Sequence, residues 1–233
     1  MFVFKRIKLA VTVAALAMSG SAFAATSFNN GSFEAQGAAS TTNYCYFDAA
    51  TPGGPACVPN GVFGGWTGAG AGIQHETNSA WPGAATPDGN YYGFVQNLGI
   101  MGQIFGADEG SYTLTWLDAG RPGGVAGGNQ TYAVAVIPFI DAVFGTPIDL
   151  GTYSTTTGQP FGAQAAPRFT LTQPGLYVLT FTGLSSDGDD TAFIDAVALG
   201  AVPEPATWAM MIGGMGVVGG SLRTRRRAAL AAA

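Results

Sequence analysis

A single histidine, His75, stands in a chain of 233 residues, and it narrows the available chemistry at once. A Ser-His-Asp triad or a multi-histidine metal site would have one base or one imidazole ligand to draw on. Neither G-x-S-x-G, nor H-E-x-x-H, nor a phosphate-binding loop occurs. His75 itself lies in a polar stretch and reads as a solvated side chain. Between residues 25 and 200 there is no lysine, so Schiff-base chemistry lacks its amine. Carboxylates are plentiful, thirteen in that span, and glycoside hydrolysis needs only two at a fixed separation. No pair is marked out by its context. The densest run, Asp187-Gly188-Asp189-Asp190, reads either as a solvated hairpin tip or as an oxygen-rich calcium loop. The chain is read as non-catalytic, with binding as its chemistry.

Binding of a neutral polysaccharide calls for aromatic faces with a few placed polar groups. Trp81 and Tyr91 flank the polar stretch Pro87-Asp88-Gly89-Asn90, and Gln96 lies at the far end of the following strand. Trp81, Asp88, Asn90, Tyr91 and Gln96 are therefore the candidate contacts. A loop aromatic has fewer packing reasons to exist than one in an alternating strand, although Trp81 reads equally well as a loop anchor. Trp116 shares an alternating apolar face with Leu114 and reads as core. Asp195 falls inside the apolar run from Thr191 to Leu199, on a face with Phe193 and Val197. A carboxylate buried there is costly unless paired or bound to metal. Exposure at a strand end is the other reading.

These residues need a scaffold, and the alternation of the chain names one. Ser111 to Asp118 places Tyr112, Leu114 and Trp116 on one side and threonines on the other. Thr131 to Ile137 and Leu176 to Thr182 are β-rich, the second after the turn signal Pro174-Gly175. Tyr91 to Gln96 and Ile100 to Phe105 read as a strand pair, and Thr191 to Leu199 as the last strand. Period-2 runs between glycine and proline turns predict an all-β, antiparallel sandwich over residues 25–200. No amphipathic helix or internal repeat is evident in that span.

The ends read as address rather than fold. Lys5, Arg6 and Lys8 precede an apolar run from Leu9 to Met18 and the sequence Ala22-Phe23-Ala24, the pattern of a signal peptide over residues 1–24. At the other end, Pro203-Glu204-Pro205 precedes an apolar segment, 206–222, about as long as the shortest spanning helices. Arg223 and Arg225 to Arg227 follow and would stay on the cytoplasmic side. Between the ends remain two arginines, Arg121 and Arg168, against thirteen carboxylates, a net charge of −11 where the whole chain has −5. Such a surface repels nucleic acid and anionic lipid. Cys45 and Cys57 lie in the exported part, where a disulfide worth about 3 kcal/mol is expected; the alternative is two free thiols.

Pro203-Glu204-Pro205, Trp208, the short apolar segment and the arginine knot resemble the PEP-CTERM sorting signal of Gram-negative bacteria, in its PEPxxWA variant, over residues 202–227. That resemblance implies cleavage by an exosortase, transient inner-membrane insertion through the C-terminal helix, and delivery to the cell surface or extracellular matrix. Asn30-Gly31-Ser32-Phe33-Glu34, Gly65-Trp66-Thr67, Pro87-Asp88-Gly89-Asn90-Tyr91 and the closing Phe193 to Leu199 resemble a jelly roll of the galactose-binding or carbohydrate-binding-module type. The resemblance implies a buried Trp66 and a structural calcium held by Glu34, Asp195 and backbone carbonyls. Ala196 departs from it, for the closing motif usually carries two acidic residues. The leading function is a non-catalytic module for extracellular polysaccharide. A structural or adhesive matrix component and a carboxylate-based glycoside hydrolase are the alternatives.

Overall fold

The computed structural model describes residues 28–34, 44–48, 56–57, 65–77, 83–123, 129–141, 143–203, 209–216 and 219. The signal segment, Trp81, Glu204, Pro205 and Trp208 lie outside the described residues. Strands form wherever β-rich residues alternate between turn residues. In chain order they are β1 (Tyr44–Tyr46), β2 (Trp66–His75), β3 (Tyr91–Ala107), β4 (Gly110–Gly120), β5 (Thr131–Ile140), β6 (Val143–Phe144), β7 (Ile148–Ser154), β8 (Gly162–Ala165), β9 (Phe169–Leu171), β10 (Gly175–Gly183) and β11 (Thr191–Ala201). All pair antiparallel, in one sheet with the central order β6-β5-β10-β3-β11-β4-β8. The sheet curls on itself as an all-β sandwich, and its concave interior is the core.

The run read as two strands, Tyr91 to Gln96 and Ile100 to Phe105, is one strand of 17 residues, β3. Asn97, between the two runs, adopts a left-handed φ of 49°. Yet β2 pairs along both halves, shifting register between Ala69 and Ala71, so the strand bends without reversing. Its first half pairs with β11 and its second half with β10. In this way β3 passes from one side of the sandwich to the other.

The inner faces hold Trp66, Met101, Leu114, Trp116, Tyr132, Val134, Leu179 and Phe181, all at most 1% exposed. Trp66 and Trp116 are thus core, as read from sequence. A satisfied carboxylate shares that interior. Asp118 accepts from the Tyr132 hydroxyl at 2.7 Å and from Gln164 at 3.1 Å, and Trp116 Nε1 donates to Tyr132 at 2.9 Å. Burial raises the Asp118 carboxyl above the usual range, while those donors oppose the shift.

Candidate functional site

On the first half of β3 the even-numbered side chains turn away from the core. Cross-strand register aligns Tyr46, Gly72, Phe94, Phe193 and Ala119 in one row over five strands. Tyr44, Gln74 and Tyr92 form the next row. This outer cluster is aromatic but not bare. Ala84 covers it, donating its N–H to the Tyr92 hydroxyl at 3.2 Å, and Phe161 packs edge-on to Tyr92 with centroids 5.4 Å apart. Tyr44 and Phe161 keep partial exposure.

A polar network closes one end of the cluster. The Tyr46 hydroxyl donates to Gln96 Oε1 at 2.5 Å. Gln96 Nε2 and the Arg121 guanidinium each donate to one oxygen of Asp189. Arg121 is nearly buried, whereas the Asp189 side chain stays 31% exposed, so the clamped carboxylate faces solvent. Burial, then the charge of Asp189, pushes the Tyr46 hydroxyl upward, so it remains a neutral donor at physiological pH. The acidic run is therefore not a free hairpin tip. Asp189 is held by Arg121 and Gln96. Asp190 is buried, its N–H donating to Asn97 Oδ1 at 3.1 Å and its carbonyl accepting from Asn97 N at 2.7 Å.

The disulfide expected from sequence positions Tyr44 and Tyr46. Cys45 and Cys57 are bonded, with Cα atoms 4.8 Å apart. Cys57 N donates to the Tyr46 carbonyl at 2.7 Å, which pins β1 from its open side. On its other side β1 lies so close that a Cβ on Gly72 would meet the Cys45 carbonyl at 1.9 Å.

The opposite end of the outer cluster carries carboxylates. Glu34 Oε1 accepts from Asn90 N at 2.8 Å and Tyr91 N at 2.7 Å, against the Gly89 turn, whose φ is 67°. A Cβ at Gly89 would meet that carboxylate at 2.1 Å and push Glu34 off its two donors, while the positive φ itself favours glycine. Asp195 is fully buried in β11. Its Oδ1 accepts from its neighbour Ala196 N at 2.7 Å, and its Oδ2 has no hydrogen-bond partner among the described residues. Burial, with the charges of Asp88 and Glu34 adding to it, pushes the Asp195 carboxyl up to about 7. Asp195 shares its face with Phe193, as expected, but not with Val197. The register shifts between Asp195 and Ala198, and Ala196 takes a φ of 49°. This bulge sends Val197 and Leu199 into the main core.

An orphaned oxygen on a buried carboxylate, with two further carboxylates near it, fits a hard cation. Among the described residues no three His, Cys, Asp or Glu side chains form a ready-made metal cage. Backbone carbonyls would have to complete any coordination shell. Arg168 is exposed, and the ion pair among the described residues is Arg121 with Asp189.

The sequence-derived contacts divide between the two ends. Asp88 and Asn90 are exposed in the turn before β3. Tyr91 packs against the main core, edge-on to the His75 ring at 4.7 Å. His75 ends β2 and its Nδ1 accepts from Thr77 N at 3.1 Å, so it is half-buried and anchored. Gln96 lies five residues along β3 from Tyr91, about 17 Å away in an extended strand. Sequence reasoning missed Tyr46, Arg121 and Asp189 as neighbours of Gln96. Only the pairing of β1 with β2, and of β11 with β3, brings them together.

Residues 201–227 match the PEP-CTERM protein-sorting motif. The chain carries a PEP-CTERM sorting signal. That motif marks an exported protein sorted to the cell surface. In the described part of this PEP-CTERM tail, residues 209–216 are helical, and among the described residues no helix is long and apolar enough to cross a membrane. No curated protein matches the chain in sequence. Solved structures similar to it include a family 61 carbohydrate-binding module in complex with β-1,4-galactotriose, at 15% identity and a TM-score of 0.42, covering 60% of this chain and 91% of that one. The CBM22-1 xylan-binding domain of Paenibacillus barcinonensis Xyn10C is similar at 10% identity and a TM-score of 0.44, covering 61% and 89%. The enzymatically active domain of bacteriophage CBA120 tailspike protein 4 is similar at 14% identity and a TM-score of 0.41, covering 59% of this chain and 19% of that one.

Proposed function

We propose that the exported domain is a non-catalytic module that binds extracellular polysaccharide on the outer face of β1 and β3. The observation that carries this reading is the clamped pair Gln96 and Asp189 beside Tyr46, on whose ring the half-exposed Tyr44 packs edge-on at 6.2 Å. Sugar hydroxyls pair with carboxylates and amides, and sugar C–H faces stack on aromatic rings, which is the composition of a ligand site. Arg121 and Tyr46 fix the polar groups before any ligand arrives, which lowers the ordering cost of binding. The turn of Asp88 and Asn90, next in sequence to Trp81 and Tyr91, supplies further contacts to a polymer laid along β3. Asp118 and Asp195, the carboxyls that burial shifts upward, are both shut from solvent. A general acid must reach the glycosidic oxygen, so neither is placed for hydrolysis.

A structural calcium ion is part of the same proposal. Glu34 and Asp195 hold it, with Asp88 nearby and backbone carbonyls completing the shell, and it ties the opening segment to β11. An exosortase is the proposed processing partner, acting at the tail during a transient stay at the inner membrane.

Affinity electrophoresis and tryptophan fluorescence against the producing organism's exopolysaccharide test the binding. Tyr44→Ala and Gln96→Ala are expected to weaken it about tenfold each, roughly 1.4 kcal/mol, and Trp81→Ala to weaken it as well. Unchanged binding in all three variants removes the site from this face. Absence of binding to any glycan favours the matrix-component reading, which the covering of Tyr92, Phe94 and Phe193 also suits. Reducing sugar released from the polymer would establish a hydrolase.

A further inference from the structure

The second half of β3 shows solvent a different outer face. Here the even-numbered residues point away from the core, and register aligns them in rows. Ile104, Val178 and Ile137 stand side by side across β3, β10 and β5. Gly106, Leu176, Phe139 and Phe144 form the row on one side, reaching β6. Gly102, Thr180 and Ala135 form the row on the other, which runs on to the exposed Asp149 of β7. Apart from Asp149, at the rim, none of these side chains is charged. Ile104 is 53% exposed, Leu176 48% and Phe144 64%. Thr180 adds no polarity, because its hydroxyl donates inward to the Ala135 carbonyl at 3.4 Å.

We infer that this face is a self-association surface, and that its partner is a second copy of the chain related by a two-fold axis. Relief is the first reason. A ridge of branched apolar side chains runs beside a trough of glycine, threonine and alanine, so the face carries its own complement. An isologous interface requires that property. Charge is the second reason. The exported part bears thirteen carboxylates against two arginines. Two copies repel each other over most of their surfaces, and this face, with Asp149 alone at its rim, is where they can meet. Size sets the strength. Four strands about 4.8 Å apart and a few rows of side chains make a face of several hundred Å², at the small end of specific interfaces. The dimer is therefore weak and concentration-dependent, with a dissociation constant in the micromolar range.

Sedimentation velocity on the exported protein over a micromolar concentration series tests this at low and high salt. A monomer–dimer equilibrium is expected, and it should tighten as salt screens the acidic copies from each other. Ile104→Glu should raise the dissociation constant at least tenfold with an unchanged melting temperature, and Phe144→Ser should do so more mildly. Ile137→Cys should form a disulfide-linked dimer under mild oxidation. A monomer at every concentration and salt overturns the inference, as does a folded Ile104→Glu that associates like the wild type. Association that weakens with salt would assign the face to a cationic partner. Flotation with neutral phosphatidylcholine vesicles in place of dimerisation would assign it to a lipid surface. Either result overturns the inference too.

Discussion

Asp195 is the fully buried carboxylate of the closing strand. Its two oxygens are not equivalent. One is satisfied by the backbone N–H of Ala196, and the other meets no donor among the described residues. A buried carboxylate in this state prefers its proton, which is why burial and the neighbouring Asp88 and Glu34 push it up to about 7. The sign of the pH effect follows. The folded carboxyl holds a proton that the unfolded one, near 3.9, releases, so this contribution is full below about pH 4 and lost as pH rises towards 7. In chelator, melting temperature should fall across that window. Calcium should restore it at neutral pH, because the ion replaces the proton. Asp195→Asn should flatten the pH dependence and abolish the calcium response together. Melting that is indifferent to chelator at pH 7.5 would remove the ion from the site. The sequence marked Asp195 as anomalous in an apolar run, and that much was legible. It could not show that Val197 leaves the shared face, because a bulge at Ala196 is a left-handed alanine that alternation alone does not announce.

Strands were legible where tertiary contacts agree with local alternation. β4, β5 and β10 all bury the residues that a period of two places inward. β3 was misread as a pair because Asn97 and Gly99 look like a turn, and only continuous pairing with β2 keeps the chain running forward. β2 carries three glycines in WTGAGAGIQH and gave little beyond its opening Trp66. β1, with three residues, is shorter than any pattern can detect. It is also too short to hold itself at the sheet edge, and its hold comes from the Cys45–Cys57 bond and the flanking backbone contacts, Phe47 N to Ala71 O at 2.9 Å among them. Replacing both cysteines by serine should therefore cost about 3 kcal/mol, the entropy of a freed loop of this length. It should also weaken glycan binding, because Tyr46 would no longer be fixed against Gln96, nor Tyr44 against Tyr46. Denaturant midpoints and affinity electrophoresis on the same preparation separate the two effects. An unchanged midpoint would mean that burial of Tyr46 and Phe47 suffices to hold the edge.

At the scale of the whole chain, the two ends carry most of the positive charge. Seven of the nine basic residues lie within residues 1–24 or in the arginine knot. The sorting match over residues 201–227 begins where β11 ends at Ala201, so the last strand hands over directly to the signal. Removing that tail leaves the pairing of β11 with β4 intact, since the last paired position is Ala201 opposite Tyr112. A fold whose closing strand ends at the processing site can mature without unravelling, and the mature protein gains in acidity what it loses in length. The precursor has an isoelectric point of about 4.6 and a net charge of −5. The exported form should begin at Ala25, end close to Pro205, focus well below pH 4.6 and carry a charge of −12, Glu204 included. Intact mass and native isoelectric focusing of material released from the cell surface read these quantities independently. Mass loss at the leader alone, with the arginine knot retained, would leave the protein sorted but uncut. Its focusing point would then sit nearer that of the precursor, and the acidic surface that keeps two copies apart at low salt would be partly neutralised.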